Sequence, residues 1–272
     1  MNALADRYAA FLLDLDGVVY RGHEAIPGAP EAVAGLRDRG GRVVFVTNNS
    51  APTPEQVVDT LTSMGVKAEP GDVVTSAQAV APMVRRRVGE GAEVFAVGEG
   101  GLRRALEEAG LRLSAPDAER AAAVVVGWDR SADFDRLRRA GLLVQRGAPL
   151  FAANADRSYP APGGELWPGT GALLGVIEAT TGVRAEVAGK PHRPLFEAAL
   201  ERAGTARALM VGDRLETDVA GAAAAGLDAV VVLSGAATRA DLLDHDALPV
   251  DVLPDVSGLL EDRPEAAARG AG

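Results

Sequence analysis

Two aspartates one residue apart close an apolar run, Phe11-Leu12-Leu13-Asp14-Leu15-Asp16. Carboxylates delivered by a buried segment are costly unless a cation or a reacting group answers them. Three more polar sites have a similar setting. Thr47 and Asn48 follow Val43-Val44-Phe45-Val46, Lys190 stands before Pro191, and Asp213 follows Leu209-Met210-Val211-Gly212, with Asp218 five residues on. If the apolar runs are parallel strands, these ends converge on one edge and crowd three or four carboxylates with one lysine. Like charges at that range call for a divalent cation, and an all-oxygen set with few carboxylates suits Mg²⁺. A carboxylate held beside Mg²⁺ can attack phosphorus and form an aspartyl phosphate. The phosphoryl oxygens then need a lysine ammonium and a hydroxyl or amide donor. A second carboxyl one residue from the nucleophile can protonate the leaving alkoxide and afterwards deprotonate water. On this reading Asp14 attacks, and Asp16 moves protons and meets the metal through its backbone carbonyl.

The elements that must position these groups alternate. A buried strand ends at Asp14 and turns at Gly17. Residues 30–40 read as a helix, 41–49 as a strand and 72–77 as a short strand. Residues 53–65 read as a helix whose Thr53 and Gln56 form a capping box. Strands are expected at 92–98, 121–128 and 149–154, with helices near 100–109, 132–145 and 171–182, and a Pro/Gly-rich loop over 158–172. A helix at 194–204, a strand at 207–214, a small-residue helix at 218–226 and a last strand at 228–235 complete the pattern, and the tail from about 262 is expected to fray. Strand–helix alternation predicts an α/β fold, a doubly wound parallel-sheet (Rossmann-like) core with ligands beyond the carboxyl ends of its strands. A second α/β unit, residues 77–185, is expected as an inserted cap, leaving 1–76 plus 186–272 as the discontinuous catalytic core.

The 272 residues carry a formal charge of −10. An acidic surface argues against non-specific binding to nucleic acid or anionic membrane. Cysteine is absent, which excludes thiolate nucleophiles, disulfides and Cys-ligated metals. No secretory signal pattern and no membrane-length apolar run are present, so a soluble cytoplasmic protein is expected.

Asp14-Leu15-Asp16-Gly17-Val18, Thr47-Asn48-Asn49-Ser50, Gly189-Lys190-Pro191 and the run Gly212-Asp213-Arg214-Leu215-Glu216-Thr217-Asp218 resemble, in order, the four signature motifs of the haloacid dehalogenase superfamily of phosphatases. The resemblance implies Asp14 as nucleophile, Asp16 as acid/base, Thr47 and Lys190 on the phosphoryl group, and Asp213 on Mg²⁺; Asn48, next to Thr47, is a further candidate for the phosphate. Asp218 would orient Lys190 or a metal-bound water. Thirty residues (17–46) separate Asp16 from Thr47, and 142 (48–189) separate Thr47 from Lys190, so only the second interval has room for a cap. That placement is similar to the NagD-type branch. It implies a small phosphorylated metabolite as substrate, glycerol 3-phosphate or phosphoglycolate first, then a nucleoside monophosphate or pyridoxal phosphate. Caps of this kind often dimerise, so the resemblance also implies a homodimer through the cap.

Other readings stand beside this one. A glycosyltransferase could use Asp14 and Asp16 to hold a metal-bound nucleotide sugar, and a catalytically silent binding protein would need none of these groups. Val97-Gly98-Glu99-Gly100-Gly101 follows a strand, but Arg103 occupies the third glycine's place in a dinucleotide fingerprint, so it reads as a tight turn. His23, His192 and His245 show no metal spacing. Asn154 and Asp156 end a cap strand and are candidates for substrate selection, while Trp128 reads as cap core.

Overall fold

The apolar runs become parallel strands, and the computed structural model describes residues 2–243 and 248–263. In chain order the main elements begin with β1 (Ala10–Leu13), α1 (Ala29–Asp38), β2 (Arg42–Thr47), α2 (Pro54–Ser63), β3 (Val73–Thr75) and α3 (Ser76–Val88). They continue with β4 (Glu93–Val97), α4 (Gly100–Glu108), β5 (Arg112–Leu113), β6 (Ala123–Val126), α5 (Phe134–Gln145) and β7 (Leu150–Ala152). Next come β8 (Ser158–Pro160), β9 (Leu166–Pro168), α6 (Thr170–Thr181), β10 (Glu186–Val187) and α7 (Arg193–Ala203). The last are β11 (Ala208–Gly212), α8 (Ala220–Ala224), β12 (Asp228–Val232) and β13 (Asp251–Leu253).

Two compact units result. The first gathers the chain up to Val46, Val58–Val73 and the chain from Ala199; the second comprises Thr47–Val57 and Val74–Ala198. A six-stranded sheet in the order β13-β12-β11-β1-β2-β3 organises the first. Pairing is parallel from β13 through β2, with Leu13 opposite both Val211 and Phe45. Phe11, Leu12 and Leu13 are wholly buried. Burial on both faces stabilises each such side chain by about 1.5–3 kcal/mol, which explains why β1, apolar throughout, takes a central place.

The second unit has its own parallel sheet, in the order β10-β7-β6-β4-β5. Val124, Val126, Leu143, Leu150, Leu174 and Ile177 help fill its core, between the sheet and helices α5 and α6. The parallel-sheet α/β class expected from sequence is therefore present, in two copies.

One local expectation holds and several change. The Thr53–Gln56 box forms: each residue's backbone N–H donates to the other's side chain, at 2.9 and 3.4 Å. The same device at Thr75 and Gln78 starts α3, which the apolar pattern did not announce. The 158–172 segment is not a simple loop, because β8 and β9 form an antiparallel hairpin. The strand at 228–232 is not the last, since β13 adds to it in parallel. At the small-residue helix, one π-helical turn (Leu215–Val219) precedes α8. Asp262 and Arg263 pair antiparallel with Ala3 and Asn2 rather than fraying, and the rest of that tail lies outside the described residues. Among the described residues no helix is long and apolar enough to cross a membrane.

Candidate active site

Asp14 is the first residue beyond β1, and its N–H donates to the Val211 carbonyl at 2.9 Å. Asp213 is the first residue beyond the neighbouring strand β11. Register alone therefore brings these two aspartates to one sheet edge. Carboxylate oxygens of Asp14, Asp213 and Asp218 lie within 4.8 Å of one another, with Asp213 and Asp218 buried and Asp14 half-buried.

The chain is shaped to hold this cluster. Oδ2 of Asp218 accepts the backbone N–H groups of Asp213 and Arg214 at 3.2 and 3.0 Å. The wide π turn brings Asp218 back over the strand end, a kind of helix irregularity that recurs at functional sites. Oδ2 of Asp213 accepts the Ala236 N–H at 2.8 Å. Glycines clear the space: a Cβ at Gly212 would sit 2.2 Å from the Asp218 Cβ, and one at Gly235 2.2 Å from the Asp213 Oδ2. Gly17 combines a φ of +82° with the same close approach, its Cβ position lying 2.4 Å from that oxygen. Three hard oxygen donors this close repel one another unless a cation sits among them, and their chemistry fits Mg²⁺ or Ca²⁺.

The carboxylate of Asp16 is not in the cluster. Sequence reasoning gave the metal to Asp14, Asp213 and the backbone carbonyl of Asp16; the grouped carboxylates are those of Asp14, Asp213 and Asp218, which adds Asp218 to that set. Asp16 lies at the surface on the Gly17 turn, where Gly17 N–H donates to the Tyr20 carbonyl at 2.7 Å. Protein packed around its carboxyl raises its proton affinity. The N–H groups of Gly22 and Gly17 and the guanidiniums of Arg214 and Arg21 offset that only partly. A carboxyl with raised proton affinity beside a metal-type cluster is suited to giving and taking a proton.

Thr47, Asn48 and Lys190 belong to the second unit. Thr47 is buried, and its Oγ1 accepts the Asn49 N–H at 3.0 Å. Lys190 is 3 % exposed, a depth at which lysine is rarely found unless its ammonium is paired. Asn48, expected on a phosphate, is engaged with protein. Its Oδ1 accepts the Lys190 N–H at 2.8 Å, and its Nδ2 donates to the Lys190 carbonyl at 3.1 Å and to the Asp156 carboxylate at 3.1 and 3.2 Å.

Asn154 and Asp156, expected to face substrate, serve the same network. Asn154 is buried, donates to the Asn48 carbonyl at 2.6 Å and accepts the Asp156 N–H at 3.1 Å. Ser76, which sequence reasoning missed, also donates to that carbonyl, at 2.5 Å. Nothing in the sequence around Ser76 marks it beyond the capping box it adjoins. The clearance provided by Gly212 and Gly235 was likewise missed; their one signal is position, each at or just past a strand end.

The remaining motifs resolve simply. Gly101 N–H donates to the Ala51 carbonyl at 2.8 Å, so Val97–Gly101 is a packed turn into α4. Trp128 is nearly buried, stacks on Tyr159 with ring centroids 4.1 Å apart, and donates Nε1–H to the Pro168 carbonyl at 3.0 Å. It therefore anchors the β8–β9 hairpin as core. His192 is exposed at the start of α7, and His245 lies outside the described residues.

Residues 11–112 match the haloacid dehalogenase-like hydrolase family, and residues 187–259 match a further family described as HAD-hydrolase-like. The chain is 37% identical over 252 residues to the 5'-nucleotidase YutF of Bacillus subtilis, covering 92% of this chain and 96% of that protein. Among solved structures, the glycerol phosphate phosphatase of Mycobacterium tuberculosis in complex with magnesium superposes with a TM-score of 0.92 at 35% identity, covering 96% of this chain and 79% of that one. The same protein is also solved with calcium. NagD from Escherichia coli K-12 matches with a TM-score of 0.84 at 31% identity, covering 92% of this chain and 97% of that one.

Proposed function

Because this chain belongs to the haloacid dehalogenase-like hydrolases, as a phosphatase of their NagD-type branch, we propose that it hydrolyses a small phosphorylated metabolite through an aspartyl phosphate on Asp14. The observation that carries the reading is the division between the two aspartates of the first motif. Asp14 joins a cluster of carboxylates within 4.8 Å of one another, and the carboxylate of Asp16 stands outside it, exposed on the adjoining turn.

Asp14, Asp213 and Asp218 would hold Mg²⁺ through their carboxylates, and Asp16 through its backbone carbonyl. When bound, the ion supplies positive charge that offsets both the clustered carboxylates and the phosphoryl oxygens of the substrate. An Asp14 carboxylate oxygen attacks phosphorus and the ester P–O bond breaks. Asp16, protonated, gives its proton to the leaving oxygen. Asp16 as carboxylate then takes a proton from the water that attacks the phosphoryl group. Inorganic phosphate departs and Asp14 is regenerated, so protons and bonds balance over the cycle. Thr47 donates its hydroxyl and Lys190 its ammonium to the phosphoryl oxygens, stabilising charge that grows in the transition state.

In this proposal residues 1–76 with 186–272 act as catalytic core. Residues 77–185 act as a cap that selects the leaving group and supplies a homodimer contact. Glycerol 3-phosphate and phosphoglycolate are the first substrate candidates, the former supported by the name of the mycobacterial relative. A nucleoside monophosphate is second, since YutF is named a 5'-nucleotidase, and pyridoxal phosphate third. Membership of a phosphatase family sets the glycosyltransferase reading aside.

The test is phosphate release from these four classes and from 4-nitrophenyl phosphate, with and without Mg²⁺. Mg²⁺-dependent release with one class preferred by kcat/KM supports the reading and names the substrate. No release from any ester by folded, Mg²⁺-loaded protein contradicts it.

A further inference from the structure

From the placement of the Asn48 carboxamide we infer that this side chain is a positioning group: it fixes the backbone of Lys190, and through it the ammonium, rather than binding phosphate. This rests on the role of Lys190 proposed above.

One side chain grips both polar groups of a single residue 142 positions away, accepting the Lys190 N–H at 2.8 Å and donating to its carbonyl at 3.1 Å. The pair of bonds reproduces what a neighbouring strand would supply. The orientation of the amide is fixed chemically. Turned over, it would set an oxygen against the Lys190 carbonyl and the Asp156 carboxylate, and an NH₂ against an N–H. As built, Nδ2 uses its hydrogens on the Lys190 carbonyl and on Asp156, and Oδ1 takes an N–H, so little of the amide remains for a ligand.

Asn48 is itself immobilised. Its carbonyl accepts from Ser76 Oγ at 2.5 Å and from Asn154 Nδ2 at 2.6 Å, and both donors are buried. The close approach also depends on Gly189, where a Cβ would lie 2.7 Å from Asn48 Oδ1 and 2.7 Å from the Ala153 carbonyl. The chain before α7 thus receives its position from the loop after β2. A lysine has four rotatable bonds and places its ammonium poorly unless its base is fixed. Fixing the base at the backbone sets the point from which the ammonium reaches out, and the burial of the side chain narrows its remaining rotamers. Asp156 extends the same control to the loop after β7, because its carboxylate orients the Asn48 NH₂ group.

A double-mutant cycle on 4-nitrophenyl phosphate hydrolysis tests this, using wild type, Asn48→Ala, Lys190→Ala and the double variant, each checked for folding by thermal unfolding. Asn48→Ala should lower kcat about 10–100-fold, the range for a displaced catalytic group. KM should move less than about threefold, because ground-state phosphate binding is not what is lost. In the double variant the Asn48 change should add almost nothing to the Lys190→Ala loss, since both remove the same interaction. Asn48→Asp keeps the acceptor for the Lys190 N–H, loses the donor to its carbonyl and repels Asp156, so it should fall at least as far as the alanine. If Asn48→Ala does not fold, Asn48→Ser carries the cycle.

Losses that multiply, or a KM that rises while kcat holds, would mean that Asn48 binds phosphate independently and would overturn the inference. A Lys190→Ala enzyme as active as wild type would instead overturn the proposed role of the lysine, and the inference with it. The single variant separates those two failures.

Discussion

Gly235 stands where any side chain would strike Asp213: a Cβ there would lie 2.2 Å from Oδ2 and 2.3 Å from the Asp213 Cβ. The loop after β12 thus shapes the site by what it lacks. Its next residue, Ala236, donates the N–H that holds Asp213 Oδ2 at 2.8 Å. Gly235→Ala should displace Asp213 and cost about 1–3 kcal/mol of stability as an overpacked site, together with a loss of activity of about 100-fold. Gly175→Ala is the matched control. It lies inside α6 with nothing near its Cβ position and should gain about 0.5–1 kcal/mol from helix propensity with activity unchanged. Urea unfolding and steady-state kinetics on both variants check this; equal behaviour of the pair would contradict it.

Asp218 separates a structural task from an electrostatic one. Its Oδ2 accepts the N–H groups of Asp213 and Arg214, and an asparagine can keep both bonds while shedding the charge. Without divalent metal, Asp218→Ala should be less stable than Asp218→Asn by about 1–3 kcal/mol, the cost of stranding a buried donor. Both variants should bind Mg²⁺ more weakly than wild type. Chemical denaturation in EDTA measures the first difference and calorimetric titration the second. An alanine variant as stable as the asparagine would show that the two N–H groups are satisfied in another way.

Much of this site could be read from chain order because parallel strands deliver their ends to one edge. Asp14 and Asp213 each stand one residue past a strand, so alternation and register sufficed to pair them. What pattern reading could not supply is side-chain traffic across long separations. Nothing local to Asn48 announces that its amide is spent on Lys190 and Asp156, and a motif reading assigned it to phosphate. Asn154 and Asp156 show the same limit: a polar pair at a strand end can face a ligand or tie a loop, and their hydrogen bonds into the Asn48 network have no local sequence signal. Asp218 was anticipated as a helper of Lys190 or of a metal-bound water, yet the π turn that brings it into the carboxylate cluster has no sequence pattern of its own. The β8–β9 hairpin was hidden because the prolines and glycines of its segment signal turns more strongly than strands of three residues signal pairing.

Tyr8 gives the fold a pH dependence remote from the chemistry. Its hydroxyl donates to Asp228 Oδ2 at 2.8 Å. Burial first, and then that bond and the charge of Asp228, raise the phenol's proton affinity well above its ordinary value. The native state therefore keeps a proton that the unfolded chain loses above about pH 10. This contribution to stability is complete below pH 10 and is lost as pH rises beyond it. Tyr8→Phe should remove that alkaline slope. Urea midpoints from pH 8 to 11 for both proteins report it, and parallel curves would count against the assignment.

Metal should stabilise the folded chain through the same carboxylates that it serves in catalysis. At about 100 times its dissociation constant, Mg²⁺ should add about 2.7 kcal/mol and raise Tm by about 5–10 °C. Asp213→Asn should lose most of that shift and turnover with it. An equal shift in the variant would place the ion elsewhere.

In the proposed cycle Asp14 carries the phosphoryl group. The most direct measurement is to quench wild type with acid during turnover of 4-nitrophenyl phosphate, reduce with borohydride, and map the chain by mass spectrometry. An aspartyl phosphate is converted to homoserine by this treatment. Homoserine is expected at position 14, dependent on substrate and Mg²⁺, with no conversion and no turnover in Asp14→Asn. Conversion at another residue, or full activity in Asp14→Asn, would contradict it.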